Sequence, residues 1–209
     1  MPRTRSARAH QDVLDAAIEL FAERGIDATS MDAISEVSGV SKATIYKHWA
    51  DKDALCMEAL IRAHGVDDLP PFNSGNLRKD LLAFLEYRAG PRHNETFLRL
   101  MPHFMGYAVR NPAFGRAWKA RVMEPPRTRL RQLLERGIQN GELKSDLDIG
   151  VAIALLLGPM VYRFAAAGIA TDLPEDLPRR VAEAFLRAHA IVKAAHAAKR
   201  IESAVRKSS

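Results

Sequence analysis

The sequence has a single cysteine, Cys56, so no disulfide can close within one chain and stability must come from a packed core. It has no apolar run long enough to cross a bilayer. The longest, 151–160, is interrupted by Gly158 and Pro159, and a spanning helix needs about 20 residues. No segment reads as a secretory leader. Gly-rich phosphate loops, a nucleophile elbow and an H-E-x-x-H zinc signature are all missing. The seven histidines, His10, His48, His64, His93, His103, His189 and His196, are scattered, and only the last two fall two helical turns apart. Internal repeats and low-complexity tracts are absent as well. These gaps argue against a disulfide-stapled scaffold, a membrane protein and the common hydrolase and zinc classes. They indicate no enzyme, no cofactor and no metal, and they fit a reducing cytoplasm.

What is present is ordinary for a globular protein: 47% hydrophobic and 27% charged residues, with a formal charge of +6. That charge is compatible with a polyanionic partner. It is unevenly placed. Over residues 1–52, seven Lys/Arg oppose eight Asp/Glu, so any attraction there depends on position. Residues 1–8 carry Arg3, Arg5 and Arg8 and no acid, which suits either a frayed end or a basic arm along DNA.

The stretch 29–55 organises the rest. Ser30 is a helix N-cap ahead of Met31, Ile34 and Val37 at helical spacing, and Gly39 ends that run. Ser41 caps a second helix over 42–49, and Asp51 caps a third. In the second helix Ile45 and Trp49 point inward and Val40 plugs the turn. Lys42, Ala43, Thr44, Tyr46, Lys47 and His48 are left on the outside or the rim. Positive charge, hydroxyls and a methyl suit phosphates, base edges and the thymine methyl. Two short capped helices about a glycine turn form a helix-turn-helix, whose second helix fits the major groove. Residues 11–24 make an amphipathic helix, with Val13, Leu14, Ala17, Ile18 and Phe21 in one stripe, expected to pack behind it.

Gly25, Thr29, Ile34, Gly39-Val40-Ser41, Ile45-Tyr46-Lys47-His48-Trp49 and Lys52-Asp53-Ala54-Leu55 together resemble the N-terminal domain of the tetracycline-repressor (TetR) family, over about residues 9–61. Ser35 and Ser38 stand where the family usually has Ala, and Trp49 where it usually has Phe. The resemblance implies a DNA-binding transcriptional regulator that recognises double-stranded operator DNA. On this reading Tyr46, His48 and Lys52, with Thr29 and Ser30, grip phosphates. Ser41 caps the reading helix, and Lys42, Ala43, Thr44 and Lys47 meet bases or their surroundings.

Beyond the 66–76 break, rich in Pro, Asn and Gly, the chain reads as helix after helix. Helices are expected over 77–89, 94–109 with Pro102 inside, 112–139 with a bend near Pro125-Pro126, 149–167 and 179–198. The fold class is all-α: an N-terminal three-helix helix-turn-helix domain plus a C-terminal helical domain. The expected division is an arm at 1–8, the DNA-binding domain at 9–65, a linker at 66–76, the C-terminal domain at 77–200 and a basic tail at 201–209. The 149–167 helix is apolar nearly all round, a surplus that a symmetric dimer would cover. The resemblance implies a homodimer built from the last two helices, with Leu156, Met160, Phe164, Val181, Phe185 and Val192 as interface candidates. It also implies a small-molecule effector pocket, for which Phe97, Met101, Phe104, Tyr107, Trp118 and Tyr162 are candidates, with Arg99 and His103 as polar contacts. The resulting expectation is a homodimeric repressor released by a small apolar or amphipathic ligand. An activator, a protein-responsive regulator, or a helical small-molecule-binding protein or enzyme retaining a helix-turn-helix are the alternatives.

Overall fold

The computed structural model describes residues 2–87, 93–165 and 173–191, with side chains undescribed at 2–5, 93–98 and 164–165. These residues form ten α-helices: α1 Pro2–Arg24, α2 Met31–Ser38, α3 Lys42–His48, α4 Lys52–His64, α5 Leu77–Leu85, α6 His93–Arg110, α7 Pro112–Trp118, α8 Glu124–Gln139, α9 Ile149–Ala165 and α10 Leu177–His189. The only strand-like pairing among them is a single antiparallel bridge, Leu143 with Ala190.

The caps read from sequence are made. Ser30 accepts from Ala33 N at 3.1 Å, Ser41 from Thr44 N at 3.3 Å and Asp51 from Ala54 N at 2.8 Å. Gly39 closes α2 in the left-handed conformation, φ 68°, which only glycine adopts without strain. Farther along, Asn76 caps α5 through Lys79 N and Asp148 caps α9 through Val151 N.

Four features differ from expectation. Residues 2–8 continue α1 rather than standing as a separate arm; Pro2 suits a helix start and no breaker follows before Gly25. Pro102 starts no new segment. It lies on the exposed side of a continuous α6, where water can take the carbonyl it leaves unbonded. Ahead of Pro125-Pro126 the long helix widens into a π-turn, Lys119–Met123, in which Glu124 N reaches back to Lys119 O. Two successive prolines remove two donors from the ladder, and the wider turn accommodates their rings. At the end of the described chain α10 stops at His189 and residue 190 is extended, so 179–198 is not one described helix.

The helices fall into two compact units. The first comprises residues up to Pro70 together with Tyr87–Arg127 and Val161–Leu173. Thus α6 and α7, which follow the 66–76 break, pack with α1–α4. Its core joins Leu14, Ala17 and Phe21 of α1, Ile34 of α2, Ile45 of α3, Leu55 and Leu60 of α4, Phe104 of α6 and Val122 of the π-turn, all essentially inaccessible to water. Each of these side chains larger than alanine contributes about 1.5–3 kcal/mol of burial. Val37, expected on the inner face of α2, is instead 59% exposed, because so short a helix buries little beyond Ile34.

The second unit comprises Pro71–Glu86, Thr128–Met160 and the described residues from Pro174 onward. Leu81 and Phe84 of α5, Leu130 and Leu134 of α8, Ile153 and Leu156 of α9 and Phe185 of α10 are buried in it. Along α9 the opposite face is bare: Val151, Ala154, Leu155 and Gly158 are exposed at spacings of three and four. Leu156 and Phe185, expected at a subunit interface, are 0% and 6% exposed in the single chain. They fill their own core, because the packed stripe of α9 runs through Ile153 and Leu156, one residue round from Leu155. Met160 and Val181 are half-buried. The side chain of Phe164 and the whole of Val192 lie outside the described residues.

Candidate nucleic-acid interface

The site is built on the two short helices and the loop ahead of them. Ile45 and Trp49 anchor α3 inward, both at 2% exposure or less. That leaves Lys42, Ala43, Tyr46, Lys47 and His48 exposed and Thr44 on the rim. The turn is stitched by the two serines that depart from the family pattern. Ser35 Oγ donates to Val40 O at 2.7 Å, and Val40 N donates to Ser38 Oγ at 3.3 Å. They hold Val40, the half-buried plug, and so fix the angle between α2 and α3.

An open cleft of about 530 Å³ runs along this face, lined among others by Ser30, Asp32, Lys42, Tyr46 and Lys52. Ser30 stands at the N-terminus of α2, where backbone N–H groups and the helix dipole favour an anion. The cleft also holds three carboxylates, each with a partner. Asp27 pairs with Arg110, Asp32 with Lys42, and Asp51 accepts from Ala54 N. The Asp32 carboxylate, by hydrogen bond and charge, raises the Lys42 ammonium above its usual range.

Two expected phosphate contacts are committed elsewhere. Thr29 is 2% exposed, and its hydroxyl donates to Gly25 O at 2.7 Å. It borders the cleft but plugs the loop between α1 and α2, with its hydroxyl turned inward to that carbonyl. Lys52 directs its ammonium at Ile26 O (2.7 Å), Thr29 O (3.0 Å) and Asp27 O (3.5 Å). A lysine has three N–H donors, and these carbonyls engage them, so Lys52 ties α4 to the loop. Of the remaining DNA candidates, Ser30, Lys42 and Tyr46 line the cleft, Ser41, Ala43, Lys47 and His48 are exposed, and Thr44 is half-buried.

Beside this face, α6 meets the loop between α1 and α2 and the start of α4 at three points about one turn apart. His103 lies against Gly25, where an added Cβ would stand 3.0 Å from its Nδ1, and Gly25 has φ 81°. Tyr107 Oη donates to Asp53 Oδ1 at 2.7 Å, in the first turn of α4. Arg110 pairs with Asp27. Burial and the Asp53 carboxylate push the Tyr107 phenol well up. Cys56 is buried in α4, and burial pushes its thiol up too, which keeps it unreactive.

The candidate effector residues are only partly brought together. Phe104 and Tyr107 lie in the first unit's core, with Trp118 packed against it. Trp118 Nε1 is buried with no partner among the described residues. Met101 is buried, Tyr162 is 58% exposed at the far end of α9, and Arg99 is exposed. The side chain of Phe97 lies outside the described residues. Asp32, Asp53 and Arg110 were not legible at the site, since each acts through a partner elsewhere in the sequence.

No described helix is long and apolar enough to cross a membrane, and no described cluster of His, Cys, Asp or Glu could hold a metal ion.

Residues 13–65 match the family described as bacterial regulatory proteins, tetR family, and residues 70–185 the tetracyclin repressor-like C-terminal domain. The uncharacterized HTH-type transcriptional regulator YdeS of Bacillus subtilis is 34% identical over 173 residues, 79% of this chain and 83% of that one. The probable acrEF/envCD operon repressor of Escherichia coli K12 is 24% identical over 165 residues, 75% of this chain and 74% of that one. Among solved structures, the flavonoid-responsive regulator FrrA superposes with a TM-score of 0.59 at 28% identity, covering 90% of this chain and all of that one. With its capped helix-turn-helix and all-α C-terminal region, the chain belongs to the tetR family and is a DNA-binding transcriptional regulator.

Proposed function

We propose that the protein is a homodimeric repressor that leaves its operator when a small apolar or amphipathic ligand binds the C-terminal helical region. The observation that carries the DNA side is α3, capped, anchored by Ile45 and Trp49, and presenting Lys42, Ala43, Tyr46 and Lys47 outward with no acid of its own. Its phosphate contacts come from Ser30 at the N-terminus of α2, Tyr46 and His48. Lys42, Ala43, Thr44 and Lys47 meet bases. The repressor sense is supported by the relative named as an operon repressor, and the small-molecule signal by the structural neighbour named as flavonoid-responsive.

The dimer is supported by the bare stripe of α9. Val151, Ala154, Leu155 and Gly158 offer a second copy an apolar ridge with two small residues that let helices approach closely. The ligand signal reaches DNA through α6. A ligand displacing α6 pulls on Gly25, Asp53 and Asp27 together, which moves α4 and the loop ahead of α2. It shifts the equilibrium only by its unequal affinity for the two positions, typically by about 1–3 kcal/mol. A DNA-binding domain followed by a C-terminal effector and dimerisation domain is part of this reading, as is a cytoplasmic location beside its DNA.

Gel-shift with DNA flanking the protein's own gene, with and without candidate ligands, tests it. The reading requires a shifted band that a ligand abolishes. Ligand binding that is equally strong with and without saturating operator would remove the switch.

A further inference from the structure

Glu58 lies on α4 with its side chain 39% exposed, on no surface that faces the cleft, yet three helices meet at its carboxylate. Trp49 Nε1 donates to Glu58 Oε2 at 2.7 Å. His10 Nε2, from α1, lies 2.6 Å from Glu58 Oε1, as a donor to the carboxylate. The His10 ring stacks on the Trp49 indole with centroids 4.5 Å apart and planes at 25°, and meets His48 edge-on at 5.2 Å. Trp49 and His48 are the C-cap and last residue of α3. One acceptor therefore fixes the trailing end of the recognition helix against both α1 and α4.

The Trp49 indole needs this partner. An indole N–H is a donor only, and when buried it needs an acceptor. The phenylalanine usual at this position in the family would need none. The leading end of α3 is fixed separately, by the Ser41 cap and the serine-stitched turn. Fixing both ends sets the pitch of α3. Attraction to phosphates tolerates a small tilt of that helix, whereas hydrogen bonds to base edges do not.

We infer that Glu58 is a positioning residue for sequence reading: without touching DNA, it sets the pitch of α3 through the Trp49 indole and His10. The inference rests on the reading that α3 enters the major groove. It also places the two ends of the signal on one helix, since Asp53, held by Tyr107, and Glu58 both belong to α4.

The test uses the full chain, a duplex site recovered from a random pool, and a random-sequence duplex. Glu58→Ala loses affinity for the recovered site by about tenfold, the scale of one base contact. Its affinity for random-sequence DNA stays at the parent's level or rises slightly as a negative charge is removed. Glu58→Gln removes the same charge but keeps an acceptor for the indole, and it retains discrimination. Trp49→Phe loses discrimination as Glu58→Ala does, and the double variant loses no more than either. A Glu58→Ala chain with full discrimination, equal losses on both duplexes, a Glu58→Gln chain as impaired as Glu58→Ala, or losses that multiply in the double variant would each overturn the inference. If Glu58→Ala does not fold, Trp49→Phe and Glu58→Gln decide it by the same ratio. A parent chain that selects no site overturns the DNA reading itself, a result distinct from the failure of positioning alone.

Discussion

Tyr107 on α6 donates its phenolic hydrogen to Asp53 Oδ1 at 2.7 Å, joining residues 54 apart in sequence across α6 and the first turn of α4. Tyr107 also packs edge-to-face on Phe114 of α7, centroids 5.1 Å apart, so the phenol is held from the α7 side while its hydroxyl holds α4. Tyr107→Phe keeps the ring and removes the bond. It should lower stability by about 1–2 kcal/mol, the range for a hydrogen bond to a partly solvated charge, read as a lower urea midpoint at unchanged slope. It should also shrink the ligand-induced loss of operator affinity. A variant with a lower midpoint but full ligand response would take Tyr107 out of the signal path.

Lys52→Ala separates a structural lysine from a phosphate contact. Losing the bonds to the carbonyls of Ile26, Asp27 and Thr29 should cost about 1–3 kcal/mol in unfolding free energy. The dependence of DNA affinity on salt should keep its slope. A slope reduced by about 0.9 with unchanged stability would mean that Lys52 neutralises a phosphate after all.

Asp32→Asn frees the Lys42 ammonium from its carboxylate partner. Affinity for random-sequence duplex should rise several-fold and its salt slope steepen by about 0.9, the increment of one more phosphate contact. The sign of the pH dependence follows from the raised Lys42 pKa. Whatever the pair adds to the folded state is fully present below the ordinary lysine value and is lost as pH rises through the folded one. Asp32→Asn should therefore alter DNA binding at neutral pH without introducing a pH dependence there. Unchanged random-sequence affinity would show that the pair does not restrain Lys42.

Adjacent positions on α9 test the dimer face. Leu155 is 53% exposed and Leu156 fully buried. Leu155→Asp should give a folded monomer by light scattering with a helical circular dichroism spectrum, whereas Leu156→Asp should unfold the second unit by burying an unpaired charge. A Leu155→Asp chain that remains dimeric would place the interface elsewhere.

The helix-turn-helix was legible because its signals are local. Ser30, Gly39, Ser41 and Asp51 act on backbone within three residues, and Ile45 and Trp49 share a face by helical period alone. The all-α class was legible for the same reason. What escaped depends on neighbours distant in sequence. Lys52 reads as a surface cation until the loop carbonyls of Ile26 and Thr29 are placed over it, and Thr29 as a phosphate ligand until its hydroxyl is seen turned to Gly25. On α9, apolar residues occur at nearly every position, so periodicity could not tell Leu156, which is packed, from Leu155, which is bare. The π-turn at 119–123 was legible only as a bend, since the prolines that provoke it lie one turn later.

The central claim is that α3 reads DNA bases, and selection of bound duplexes from a random pool tests it most directly. The parent chain should enrich a two-fold symmetric site with half-sites about 34–36 Å apart, or a multiple of that spacing, as a dimer presenting two α3 helices requires. Lys42→Ala, carried through the same selection, should recover a consensus altered within each half-site, with discrimination at the affected pair reduced by about 1–3 kcal/mol. A parent chain that enriches no sequence, or a Lys42→Ala chain that recovers the parent's consensus unchanged, would contradict the account.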